Sequence, residues 1–166
     1  VRLYTFTHSM LSTIAQGVQS GHATVELFLK YRNKDSDEYA LLYDWAENHK
    51  THIALNGGNS ISLENITWVF LSKFNDSPWA KFKEDDSLNR ITTSISIVLR
   101  PEIYVTAELL RLGVIRDCEN GFEKIPEKNI TDLETQSKID QFSEFRGFTE
   151  TDKEIISLLN NSRLAV

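Results

Sequence analysis

A chain of 166 residues with 40% hydrophobic and 25% charged residues can bury a sizeable core, which excludes the fibrous and intrinsically disordered classes. Its net charge of -6 argues against non-specific nucleic-acid binding, which is driven by neutralising phosphates. With no apolar run of membrane-spanning length, no signal-peptide layout and a lone Cys118, the expectation is a soluble, cytoplasmic protein without membrane contact or disulfide.

The opening Arg2–His8, rich in β-branched and aromatic residues, predicts a strand. The period then changes. Ile14, Val18, Val25 and Leu29 recur at helical steps, so a helix is expected from Ser12 or Thr13 to Arg32 with that stripe against the core. Gly17 and Gly21 lie one turn apart inside it, and each costs about 1 kcal/mol relative to alanine. The expected return is a close approach of the helix to the sheet, with Gln19 and His22 along the adjoining strip. A second helix is predicted over Tyr39–His49, and a strand from His52 that stops at Gly57 and Gly58. Next come a helix capped by Ser62, with Ile66, Val69, Phe70 and Phe74 on one face, and a short edge strand over Trp79–Lys83. Ile91–Leu99 alternates as a strand, and a helix follows Pro101 and closes at Gly113. Arg116–Asn129 reads as a loop. Two helices are expected beyond it, Thr131–Phe145 and Thr151–Asn161, the second opened by a capping box of Thr151 and Glu154.

This order of strands and helices predicts an α/β fold, a single mixed four-stranded sheet flanked by helices, over residues 1–113. Residues 114–166 form an acidic helical extension, expected to pack on the core or on a partner. The front part holds 11 basic against 13 acidic residues and the extension 7 against 11, so most of the acidity lies in the tail.

Recognisable chemistry is sparse. There is no P-loop, no G-x-S-x-G and no G-x-G-x-x-G, so the common nucleotide and nucleophile motifs are excluded. His49 and His52 straddle two elements without a cysteine or second pair nearby, so neither a metal nor a cofactor is expected. The glycine-rich Asn56–Ser60 precedes a helix whose N-terminus suits an anion, though a tight turn is the simpler use. Lys81, Lys83, Arg90 and Arg100 make a basic group in the front part.

The strand, short turn and helix bearing Gln19, Ser20, Gly21, His22 and Ala23 resemble the type-two peptidyl-tRNA hydrolases, including phage-encoded members. Their first helix carries Gly-Lys-x-Ala-Ala-Gln-x-x-His-Ala, and the resemblance covers Arg2 to Gly113. It implies a reactive cluster of lysine, aspartate and threonine over an ester bond. The aspartate corresponds to Asp86 and the threonine to Thr92 or Thr93. The lysine falls at Ala15, the glycine before it at Ile14, and the family's closing Gly-Pro reads Arg100-Pro101. Two functions follow. In one, the protein hydrolyses peptidyl-tRNA or a related ester, with His22, Asp86 and Thr93 catalytic, His8 or His22 doing the acid–base work, and His8, Gln19, Lys81 and Arg90 binding substrate. In the other, which Ala15 and the acidic extension favour, it is non-catalytic and binds a protein partner or a tRNA or nucleotide ligand. The resemblance also implies a homodimer, for which Phe142, Phe145 and Phe148 offer an apolar surface; packing against the chain's own sheet is an equally simple use of them.

Overall fold

The computed structural model describes residues 1–73, 77–84, 90–119, 121–126, 130–145 and 147–162. Its contacts divide the chain at Leu99/Arg100, with Arg100–Asn161 a compact unit of its own. The helix after Pro101 therefore groups with the tail.

The first unit is α/β. Strands β1 (Arg2–Thr7), β2 (His52–Asn56), β3 (Trp79–Lys83) and β4 (Thr92–Leu99) form a mixed sheet of order β2-β1-β4-β3. β1 runs parallel to β2 and antiparallel to β4, which pairs antiparallel with β3. Strands β1, β2 and β3 thus end at the same sheet edge, where β4 begins. Helices α1 (Thr13–Lys30), α2 (Asp37–Asp44) and α3 (Ser60–Lys73) complete the unit, and a π-helical turn over Trp45–His49 extends α2. Left-handed Lys50 stops that turn, and the Trp45 indole donates to the Thr51 carbonyl at 2.8 Å.

The two sheet faces differ in chemistry. Tyr4, Phe6, Leu55, Ile95, Ile97 and Leu99 alternate onto one, all buried. Leu63 of α3 reaches it beside Gly57, where a built Cβ would stand 2.5 Å from Leu63 and 3.1 Å from Phe6. The other face carries Leu3, Thr5 and Thr7 of β1 opposite Val98, Ser96 and Ser94 of β4. It grades from apolar at the start of β1 to hydroxyl-lined at its end. α1 matches the gradient: Leu27 packs with Leu3, Val98, Ala80, Leu42 and Trp45, whereas Ser20 and Gln16 lie over the hydroxyls.

That gradient overturns the expected orientation of α1. The buried positions are Gln16, Ser20, Ala23 and Leu27, and the stripe of Ile14, Val18, Val25 and Leu29 points outward. The glycines do not seat the helix either, since among the described residues nothing stands within 4 Å of a Cβ built at Gly17 or Gly21. Periodicity located the helix correctly, but a polar sheet face draws a polar helix face. Ser12 caps α1, accepting from the Ala15 amide at 3.3 Å. α3 begins two residues before the expected Ser62 because the Asn59 side chain accepts from the Ser62 amide at 3.0 Å. Phe74, expected on its inner stripe, and the side chain of Phe70 lie outside the described residues.

The second unit holds α4 (Pro101–Arg111), β5 (Ile115–Cys118), β6 (Gly121–Lys124), α5 (Leu133–Phe142) and α6 (Glu150–Asn161). Part of the expected loop over Arg116–Asn129 is instead strand, β5 pairing antiparallel with β6; the adjacent exposed charges Arg116–Asp117 and Glu123–Lys124 leave these short strands no alternation. Val105, Leu109, Val114, Ile115 and Ile139 form the core of this unit. Phe142, Phe145 and Phe148 are half-buried, with ring contacts of Phe142 to Phe145 and Phe148 and of Phe148 to Phe122. Lys138 bridges Glu108 and Glu134 at 3.0 and 2.6 Å, and hydrogen bonding to Glu134 holds its pKa above the ordinary lysine range. The box that opens α6 is Thr149 with Asp152, not Thr151 with Glu154.

The glycines separate cleanly by experiment. Gly17→Ala and Gly21→Ala, each in an open helix interior, are expected to stabilise the protein by up to about 1 kcal/mol. Gly57→Ala forces the methyl against Leu63 and is expected to cost about 1–3 kcal/mol. Urea denaturation of the three variants checks both signs.

Candidate functional site

The ends of β1, β2 and β3 and the start of β4 meet the N-terminal half of α1, an arrangement in which open α/β sheets usually carry their ligands. Two chains of polar groups occupy it. In the inner chain, Thr5 Oγ1 lies 2.6 Å from Ser96 Oγ and 2.8 Å from His52 Nε2, and His52 Nε2 lies 3.0 Å from Ser20 Oγ. Beside it Thr7 donates to Gln16 Oε1 at 3.2 Å, and Gln16 Nε2 donates to the Leu11 carbonyl at 2.8 Å. Thr5, Thr7, Ser20, Ser96 and Gln16 are buried, and a buried hydroxyl or amide without a partner costs about 1–3 kcal/mol. These bonds satisfy the interface; they do not present it.

A β-bulge builds the outer chain. Phe82 pairs with Ser94 and Lys83 with Thr92, so Thr93 is the extra residue on β4. Bulges re-aim side chains. Here Thr93 and Ser94 both turn to α1, where Thr93 donates to Gln19 Oε1 and Ser94 to the Gln19 carbonyl, each at 2.7 Å. Gln19 Nε2 donates in turn to Glu84 Oε2 at 2.9 Å. Thr92 is turned the other way. It donates to Glu64 of α3 at 2.7 Å, and Lys81 reaches the same carboxylate at 3.6 Å. The Thr92 hydrogen bond, aided by the Lys81 and Lys83 charges, holds Glu64 below the usual carboxylate range.

The expected site residues therefore separate. Gln19 and Thr93 come together, and of the alternatives Thr92 and Thr93 only Thr93 faces α1. His22 is exposed one turn along the helix, its ring edge-on to Phe82 at 4.5 Å between centroids. His8 is buried at the end of β1; its Nε2 lies 3.1 Å from Ser60 Oγ and its Nδ1 accepts from the Met10 amide at 3.2 Å. Lys81 is committed to Glu64 rather than to the cluster around Gln19. Arg90 is exposed and left-handed, with φ 60°. Asp86 lies outside the described residues. Ala15, where the resemblance expects a lysine, is half-buried in the first turn of α1.

Several members were not anticipated, Thr5, Thr7, Ser94 and Ser96 of the sheet among them. Ser20 and Gln16 were hidden because the outward apolar stripe drew attention to the wrong side of α1. Glu84 stands first in the acidic run Glu84–Asp86 and was legible only as part of it. His49 and His52 do not act together: His49 lies 3.3 Å from Asp44, and His52 joins the hydroxyls. Among the described residues, no group of three or more His, Cys, Asp or Glu is placed to hold a metal, and no helix is long and apolar enough to cross a membrane.

No family model matches the chain, and a search of curated proteins finds no match either.

Burial lowers the pKa of both His8 and His52 below the ordinary 6.5. The neutral imidazole is favoured in the native state, so the unfolded chain takes up protons first. Their contribution to stability is complete above about pH 6.5 and is lost as pH falls toward the lowered native values. Thermal melts between about pH 7.5 and 4.5 should show this acid loss. The His52→Gln variant should show a shallower slope across the same window.

Proposed function

We propose that this chain is a divergent protein of type-two peptidyl-tRNA hydrolase-like architecture that binds a partner and does not hydrolyse esters. The chain Glu84–Gln19–Thr93 carries the reading. Thr93 gives its hydroxyl proton to an amide oxygen, not to a base, and both ends of the Gln19 amide are occupied within the protein. Ala15 supplies no amine one turn earlier, and Lys81 is paired with Glu64. Ester hydrolysis needs a donor or cation aimed at the developing oxyanion, and loss of one such group costs about 100- to 1000-fold in rate. Thr93 and Gln19 are turned to cohesion between α1 and the sheet. A protein partner, or a tRNA or nucleotide held without turnover, fits that chemistry.

One observation favours the esterase reading. His8 is kept neutral by burial and shares a hydrogen bond with Ser60 at the sheet end, the protonation state a general base requires.

The purified protein mixed with peptidyl-tRNA should release free tRNA no faster than the uncatalysed background. Turnover above background that disappears in His8→Ala or Thr93→Ala would sink the binding reading and establish the esterase.

A further inference from the structure

The two outer strands of the sheet, β2 and β3, are treated differently. Such a strand presents a row of N–H and C=O groups to any other extended chain. On β3 the row is blocked at Trp79. Its amide donates to the Tyr31 hydroxyl oxygen at 3.2 Å, and its carbonyl accepts from the Tyr31 hydroxyl at 3.2 Å and from Lys30 at 2.9 Å. Lys81 and Lys83 follow along the strand. On β2 the row is open. The Thr51 carbonyl accepts from the Leu3 amide of β1, and the Gly57 amide donates to the Thr7 carbonyl. By the alternation of a strand, Ile53 and Leu55 also face β1, and His52, Ala54 and Asn56 turn their main-chain groups away. None of those outward groups has a partner among the described residues. His52 and Asn56 are exposed, although the Nε2 end of the His52 ring is held inward by Thr5 and Ser20. β2 has no proline, lysine or bulge, the usual guards of such an edge.

We propose that the outer edge of β2 docks an extended, acidic segment of a partner protein, which adds to the sheet as a further strand. An extended main chain is the occupant that answers each unpaired N–H and C=O. Charge sets its chemistry. The protein carries a net charge of -6, yet Val1–Val25 and His49–Leu63, which supply β1, β2 and most of α1, hold no acidic residue. Lys50, immediately before β2, is exposed and has no ion pair among the described residues. Register adds a pattern. His52, Ala54 and Asn56 share the hydroxyl-lined face with Thr5 and Thr7, whereas Ile53 and Leu55 share the apolar one. A strand beside β2 sets alternate side chains next to His52 and Asn56, and the intervening ones next to Ile53 and Leu55. Acidic residues alternating with apolar ones fit that surface. β1 separates this edge from Thr93 of β4, so the proposal stands whether or not the sheet end turns over an ester.

The probe is a capped, fluorescein-labelled peptide of about eight residues alternating Val and Glu, titrated by anisotropy. It should bind with a dissociation constant between about 1 μM and about 1 mM; no binding up to about 1 mM overturns the proposal. Lys in place of Glu should weaken binding at least about tenfold, and equal affinity overturns the acidic partner. Methylating every Glu nitrogen in one peptide and every Val nitrogen in another blocks opposite rims of the same strand. One should lose at least about tenfold in affinity and the other keep it; two that bind alike overturn strand pairing. In the wild type, bound peptide should slow hydrogen exchange at the His52, Ala54 and Asn56 amides, and unchanged exchange there overturns the location. Ala54→Pro removes one outward amide and spares the bonds to β1, a position where an outer strand accepts proline. It should keep its circular dichroism and lose the peptide; a folded variant that binds equally also overturns the location. Self-association of the protein alone that Ala54→Pro abolishes, read by sedimentation velocity, would give the edge to a second copy and overturn the proposal.

Discussion

The first unit depends on one constraint: a sheet face lined with hydroxyls must be covered by a helix that can answer each of them. Thr5, Thr7, Ser94 and Ser96 are all buried. Each would cost more unpaired than an ordinary hydrogen bond returns. α1 answers with Gln16, Gln19 and Ser20, and β2 lends His52. Apolar packing of Leu27 with Leu3, Val98 and Trp45 holds the other end of the helix. The helix is thus fixed by burial at its C-terminal half and by directional bonds at its N-terminal half.

The bulge in β4 is where this cohesion meets the candidate site. A regular strand would send Thr93 to the face opposite Ser94. The extra residue brings both to Gln19 and sends Thr92 to Glu64 on the α3 side. Two adjacent threonines therefore belong to two separate networks. Chemistry at this sheet end would have to take Thr93 from Gln19 first.

Much of the fold was legible in the sequence because local pattern decides local structure. β1 and β4 alternate in sequence, and α1 and α4 stand within two residues of their expected bounds. The orientation of α1 was not legible. A helical stripe of Ile, Val and Leu reads as a core face unless the sheet beneath is known to be polar, and that follows only from pairing β1 with β4. The β5–β6 hairpin was missed because Arg116 with Asp117 and Glu123 with Lys124 put adjacent exposed charges in four-residue strands, which leaves no alternation to read. At the site, Gln19 and Thr93 were legible through a short motif and a strand pattern. The inward turn of Ser20 and Gln16 depends on tertiary contact and leaves no local signal.

A hydroxyl-lined seam also bears on how such a protein can change over evolutionary time. An apolar interface tolerates swaps of similar volume one residue at a time. In the contact of Thr5 with Ser96 and His52, loss of one member strands the others, whereas replacing both partners with apolar groups can be nearly neutral. Substitutions in this seam are therefore expected to arrive in pairs across β1, β4 and α1. The outward stripe, on the opposite side of the same helix, is free to drift singly unless a partner holds it.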